Sequence, residues 1–397
     1  MEKPDMFYAT AAEFLGKGLL TMNGPMYKAH RKIDGLIFGK SVIDTKLPMI
    51  NEEVSKLIHL FGDLADGSSV DVRTYIDDEI AAASFRTLAP ERMVFSDFRP
   101  IYHEARKVFE VIQLRSVNPL YYWLLHHLKN STRKLVRCMK GYLAEARKVF
   151  DEEFVFITKR IKDTDIEDLS PIEIWGRAFI QLYGIENCAE PAYAEARTFL
   201  VASFDTSSFV TNTTLLLLAL HPDVQQRVFE EVQSILGDED RPVEAEDLSK
   251  MEYLDWVIKE SLRLFPAGSV IPRRASQDTT VGGFVVPKGS VVFLNITSLH
   301  RNPDIFKDPL KFDPTRFSPE RSANRHPFAF LPFSAGLRCC PGQYLAFTLI
   351  KTTLSAIVRN FKVLPGEGLT SINDIKLKVE FTSHLCKASV AFLKREA

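Results

Sequence analysis

Apolar residues recur at helical spacing through most of the first two-thirds of the chain. β-Branched runs gather between residues 279 and 296 and again between 376 and 394, and no Pro/Gly/Ser-rich linker, charge block or repeat divides the 397 residues. Together these features predict a mostly α fold with small β-sheets clustered toward the C-terminal half.

Residues 50 to 65, 100 to 113, 131 to 162 and 170 to 187 read as helices, with turn clusters such as Ala65-Asp66-Gly67-Ser68-Ser69 between them. Residues 199 to 220 end in an almost continuous leucine run, but Asp205 and several Ser and Thr residues interrupt the apolar stretch. A buried core helix suits that mixture better than a membrane span. His221-Pro222 opens the next helix, with proline suited to a first turn, and Gly237 closes it. Ser249-Lys250-Met251-Glu252 reads as a capping box for a helix running through Trp256 to Pro266. Thr279–Val286 and Ser290–Ile296, split by Pro287-Lys288-Gly289, read as a hairpin.

Composition narrows the function. A net charge of −1 argues against a nucleic-acid surface. Five cysteines at positions 138, 188, 339, 340 and 386 form no disulfide framework, which implies a reducing compartment. The nine histidines show no paired metal spacing, so zinc chemistry has no support. The first residues, Met1-Glu2-Lys3-Pro4-Asp5-Met6-Phe7, carry no signal peptide or anchor.

The richest signal is the run Phe333-Ser334-Ala335-Gly336-Leu337-Arg338-Cys339-Cys340-Pro341-Gly342, ahead of an amphipathic stretch. A cysteine at a helix start is favoured as thiolate by unpaired N–H groups and the positive dipole end, as a buried ligand for haem iron requires. Gly336 and Gly342 let the backbone approach a porphyrin face without a Cβ. Arg338 can donate to an anionic propionate, and Phe333 can pack beside the sulfur. This loop resembles that of the cytochromes P450, Phe-x-x-Gly-x-Arg-x-Cys-x-Gly, at every fixed position. The register selects Cys340 as ligand and leaves Cys339 a packing role.

Other stretches carry the same resemblance. Glu260-Ser261-Leu262-Arg263 lies 80 residues before Cys340, with Phe312-Asp313-Pro314-Thr315-Arg316-Phe317 between them. By resemblance Glu260, Arg263 and Arg316 form a buried ionic network. Ala202-Ser203-Phe204-Asp205-Thr206 is similar to the distal-helix stretch whose acid and alcohol pass protons, with Ser203 in place of a glycine. Tyr27-Lys28-Ala29-His30-Arg31 is similar to the Trp-x-x-x-Arg stretch, with Tyr27 for the tryptophan. The resemblance makes Arg31 and Arg273 propionate ligands, Arg273 having Arg274 beside it, and gives His300-Arg301-Asn302-Pro303 a family turn.

Length alone suggests two to three domains, but motifs far apart that converge on one cofactor favour a single domain over residues 1–397. The resemblance implies a P450 fold beginning after the anchor, first helices and part of the main sheet, hence incomplete at the N-terminus. Missing strands would leave edges and apolar patches prone to aggregation. It is most like the insect members of the family 4 clan. Ala202 stands where many family 4 hydroxylases carry a haem-esterifying Glu, so that attachment is expected to be absent.

The resemblance further implies a haem-thiolate monooxygenase carrying haem b, iron protoporphyrin IX, and acting on a small apolar substrate such as a lipid, hormone or xenobiotic. Its expected electron donors are NADPH-cytochrome P450 reductase and, as a further candidate, cytochrome b5, docking near Lys28, Arg31, Lys32 and Arg359. The expected location is the cytosolic face of the endoplasmic reticulum membrane. Two rival readings are a truncated non-catalytic relict and a haem isomerase or dehydratase that needs no reductase. Asp205 and Thr206 favour oxygen activation over the latter.

Overall fold

The computed structural model describes residues 2–88, 130–239 and 241–395, so the helix expected over 100 to 113 lies outside the described residues. In chain order the main elements begin with α1 (Asp5–Leu15), α2 (Pro25–Asp34), α3 (Lys40–Asp63), β1 (Asp66–Asp71) and α4 (Arg73–Leu88). Then come α5 (Asn130–Asp163), α6 (Pro171–Tyr183), α7 (Ala189–Leu220), α8 (Pro222–Leu236), α9 (Ala245–Lys250) and α10 (Glu252–Leu264). The C-terminal part holds β2 (Val270–Arg274), β3 (Thr279–Val281), β4 (Phe284–Val286), β5 (Val291–Asn295) and α11 (Ile296–His300). It closes with α12 (Gln343–Asn360), β6 (Phe361–Pro365), β7 (Leu377–Val379), β8 (Ser383–Leu385) and β9 (Ser389–Lys394). The fold is mostly α with small sheets, as the periodicities require. Among the described residues no helix is long and apolar enough to cross a membrane.

The residues group into two compact units. The first comprises 1–42, 88–202 and 270–294, and the second 43–87, 203–269 and 295–397. In the first, α6 starts on a capping box in which Ser170 and Glu173 satisfy each other's backbone N–H, with Pro171 at the first helical position. Its apolar face packs Trp175 and Phe179 against Ile33, Phe154 and Phe199. Burying side chains of this size contributes roughly 1.5–3 kcal/mol each. The expected hairpin is re-partnered. Thr279–Val281 turns back on Phe284–Val286 through Gly282 and Gly283, at φ 58° and 85°, whereas β5 pairs with β2. Two adjacent glycines accept the left-handed backbone of a two-residue turn, which Pro287-Lys288-Gly289 does not provide.

In the second unit the Ser203–Leu220 part of α7 is largely buried although rich in hydroxyls. Thr211, Thr213 and Thr214 each donate to the carbonyl four residues back, at 2.9, 2.8 and 2.7 Å, so burial strands no donor. Gly237 closes α8 at φ 66° as expected. The capping box at Ser249 is not formed, because Ser249 sits inside α9, where its hydroxyl donates to the Glu246 carbonyl at 2.7 Å. The start of α10 is capped from α8 instead: the Tyr253 and Leu254 N–H groups donate to the Glu231 carboxylate at 2.6 and 2.9 Å.

The turn expected at 65–69 is also revised. Asp66–Asp71 is a strand, and β1, β9 and β6 form an antiparallel sheet with β9 in the middle. Val390 and Phe392 of β9 are fully buried, and pairing with that apolar strand outweighs the turn composition of Asp-Gly-Ser-Ser. β7 and β8 form the small hairpin within the 376–394 region, with Lys378 opposite His384.

Candidate functional site

The Phe333–Gly342 loop is held by its own main chain. The Cys340 N–H donates to the Phe333 carbonyl at 2.9 Å, and the Cys339 N–H to the Gly336 carbonyl at 3.1 Å. Ser334 and Gly336 both adopt positive φ, 61° and 68°. Glycine accepts that conformation freely and serine does so with strain. Gly342 then begins α12, its carbonyl accepting from Ala346 N–H at 2.9 Å.

Cys340 is exposed on its loop and Cys339 half-buried. The backbone bond to Phe333 presents Cys340 at the rim of its loop, while the Phe333 ring lies 5.7 Å from that of Phe347. A Cβ at Gly336 would meet nothing within 4 Å, so the loop offers bare backbone on that side. An accessible thiol beside such a surface, with Arg338 two residues earlier, fits a metal delivered inside a flat macrocycle. Among the described residues no group of three or more His, Cys, Asp or Glu could hold a bare ion.

Glu260, Arg263 and Arg316 come together in the second unit. Arg263 donates through Nε and Nη2 to the two oxygens of Glu260 at 2.7 and 2.8 Å, and Arg316 Nε lies 3.3 Å from Glu260 Oε1. The Asp313 N–H also donates to Oε1 at 2.9 Å. The remaining arginine donors hold loop carbonyls: Arg263 those of His300, Pro309 and Lys311, and Arg316 that of Asp308. Burial pushes the Glu260 carboxyl up, and the two guanidiniums and the Asp313 N–H pull it back. His300 is pushed the other way, down to about 4, chiefly by burial, and as neutral imidazole its Nε2 accepts from the Leu331 N–H at 2.9 Å. The network therefore pins the segment leading into the cysteine loop.

On α7 Asp205 is buried and Thr206 and Ser203 are half-buried. Asp205 Oδ2 accepts from the Thr382 hydroxyl at 2.6 Å, and Oδ1 lies 3.5 Å from His384 Nδ1. Neither Thr382 nor His384 was singled out from the sequence. Both belong to a short β-hairpin whose only local signal is alternation, and 177 residues separate Thr382 from its acid.

The first unit holds the other expected cation sites. Arg31 is half-buried in the last turn of α2, beside the buried Tyr27. Strand alternation puts Arg273 and Arg274 on opposite faces of β2. Arg274 pairs with Glu2 at 2.9 Å, while Arg273 donates to the Pro272 carbonyl at 2.9 Å. Lys28 and Lys32 are exposed. In the second unit Arg359 donates to the Gly237 and Glu239 carbonyls.

Sequence pattern also missed a buried cluster around α2. His30 Nδ1 bonds Glu195 Oε1, its Nε2 lies 2.6 Å from the Tyr183 hydroxyl, and the Leu19 N–H donates to Glu195 Oε2 at 2.9 Å. Within the first unit the Asp34 carboxyl is pushed up to about 9 by burial and then by the Glu195 charge. The Trp175 indole donor at 3.3 Å and Arg31 pull it back in part.

The family model for cytochrome P450 matches residues 2–385 of the chain. The chain belongs to that family. It is 32% identical to "Probable cytochrome P450 4ac1" of Drosophila melanogaster over 394 residues, covering 95% of this chain and 75% of that protein. It is 31% identical to "Cytochrome P450 4V2" of Homo sapiens, covering 89% of this chain and 70% of that one. Among solved structures it is similar in fold to "Crystal structure of a Cytochrome P450 (CYP102L1)", with a TM-score of 0.80 at 22% identity over 100% of this chain and 85% of the other. It is also similar to "Retinoic acid bound cyanobacterial CYP120A1", with a TM-score of 0.76 at 24% identity over 97% and 83%.

This P450 is accordingly a haem monooxygenase with the P450 fold, and its relatives in sequence are family 4 members from insects and mammals. Haem iron is its cofactor, and P450s in general draw electrons from redox partners.

Proposed function

We propose that Cys340, as thiolate, would hold the iron of a haem b, and that the chain inserts one atom of O2 into a small apolar substrate drawn from lipids, hormones or xenobiotics. When bound, a thiolate-ligated haem supplies oxygen activation, with the second oxygen atom leaving as water. The single observation that carries this reading is the loop geometry: an accessible Cys340 thiol, bare backbone at Gly336, and a helix start two residues on.

The chain's own residues do the rest. Arg338, Arg31 and Arg273 neutralise the cofactor's propionates, the bond from Cys340 N–H to Phe333 fixes the sulfur's approach, and Glu260 with its arginines holds the preceding segment. Asp205 and Thr206 hold and pass protons on α7. Electrons come from NADPH through NADPH-cytochrome P450 reductase, with cytochrome b5 as a second donor, at the cytosolic face of the endoplasmic reticulum.

The test is the carbon monoxide spectrum of the reduced, haem-loaded chain. A thiolate-type band in the wild type that is lost in Cys340→Ser supports the reading, and retention of that band in Cys340→Ser refutes it. NADPH consumption that depends on added reductase tests the electron source separately.

A further inference from the structure

We propose that protons reach Asp205 from solvent through a side-chain route formed by Glu380, His384 and Thr382 and opening at Lys378. The inference rests on the proton-handling role proposed for Asp205 and deepens it.

The β7–β8 hairpin brings the parts together. Its register sets Lys378 opposite His384, and the turn closes with the Glu380 N–H donating to the Thr382 carbonyl at 2.8 Å. Lys378 Nζ lies 2.5 Å from Glu380 Oε1, and Glu380 Oε2 lies 3.6 Å from His384 Nε2. That ring nitrogen is 3.1 Å from the Thr382 hydroxyl, which donates to Asp205 Oδ2 at 2.6 Å. The Lys378 side chain is 55% exposed, whereas Glu380, His384 and Asp205 are buried at 5%, 9% and 1%.

Four titratable groups thus face one another in a row from water to the buried acid. Lys378 lies on β7 and Glu380 in the turn that follows it, His384 stands on β8, and Asp205 projects from α7. A chain built only to tie hairpin to helix needs the Thr382 bond alone. The placement of a histidine whose Nε2 faces both the Glu380 carboxylate and the Thr382 hydroxyl is what a relay uses, because an imidazolium releases its Nε2 proton toward Thr382 and takes one back from Glu380 while Nδ1, toward Asp205, stays protonated.

The proton count balances without a redox step. When Asp205 gives up its proton, Thr382 passes its hydroxyl proton to Asp205 Oδ2 and takes one from His384 Nε2–H. The imidazole is reprotonated through Glu380, and Glu380 from water at the exposed Lys378 end. Each group ends with the protons it began with. His384, Thr382 and Glu380 are positioning residues acting through Asp205.

The test uses the intact haem-loaded chain with added reductase and NADPH and no organic substrate, reading oxygen consumed and the share released as hydrogen peroxide. His384→Gln and Glu380→Gln are expected to slow four-electron reduction of oxygen by about tenfold, raising the peroxide share while the carbon monoxide band is unchanged. Adding His384→Gln to Asp205→Asn should cost nothing more than Asp205→Asn alone.

A second readout is independent of turnover. In histidine-selective NMR of the intact chain, the His384 titration midpoint is expected to move in both Asp205→Asn and Glu380→Gln, and an unmoved midpoint in both overturns the route. Wild-type peroxide share in His384→Gln beside an impaired Asp205→Asn overturns the relay and leaves Asp205 its role. A wild-type Asp205→Asn overturns that role itself and the route with it. Should His384→Gln fail to take up haem, Glu380→Gln, in the turn of the hairpin, decides by the same two readouts.

Discussion

Glu260 in the second unit and Asp34 in the first are both fully buried, yet one is surrounded by cations and the other lies beside a second acid. Glu260 receives three hydrogen bonds, two from Arg263 and one from the Asp313 N–H, with the Arg316 guanidinium as a second cation 3.3 Å away. Asp34 receives one long bond from Trp175, while Oδ2 meets no partner among the described residues and the Glu195 carboxylate is close enough to raise its proton affinity. Burial sets a similar penalty on ionisation for each. The partners decide whether that penalty is offset by charge, as at Glu260, or avoided by keeping the proton, as at Asp34.

Breaking the first arrangement should have the largest effect. Glu260→Ala strands two guanidiniums among buried loops at a cost of roughly 3–5 kcal/mol, and the expected result is loss of soluble, haem-loaded protein, checked by absorbance and chemical denaturation.

The second arrangement is sharpened by pH. Asp34 has its folded-state proton affinity raised from 3.8 to about 9, so its contribution is fully present below about pH 4 and is lost as pH rises toward 9. Over that window one such group lowers stability by at most about 1.4 kcal/mol per pH unit. Asp34→Asn, which keeps an acceptor for Trp175, is expected to flatten the fall of Tm between pH 5 and 8. A slope equal to wild type would show that Asp34 is ionised in the folded chain.

Smaller effects are expected where carboxylates stay near water. Glu231→Ala removes the two backbone bonds at the start of α10 and should cost about 0.5–2 kcal/mol by urea denaturation, as other N-terminal caps do. Lys259→Ala breaks the partly exposed pair with Asp255, 2.6 Å long on the same helix, and should cost about 0.5 kcal/mol or less.

Local chemistry made much of this chain legible in advance. The cysteine loop carries its constraints in consecutive residues, and the Glu260–Arg263 pair sits three residues apart on one helix, where spacing alone makes the charges meet. α8 was bounded by Pro222 and Gly237 because those residues act through their own backbone. Ser249 misled because a capping box depends on which helix the residue enters, and α9 claimed it. Asp66–Ser69 misled because its strand state depends on β9, more than 300 residues later.

What the sequence determined by itself is therefore the helical class and the family, both encoded by short-range spacing. The tertiary structure alone decided that Glu231 caps α10, that Thr382 and His384 attend Asp205, and that burial beside Glu195 raises the proton affinity of Asp34. Each of those depends on which distant group replaces water around a polar atom, and no local pattern specifies that neighbour.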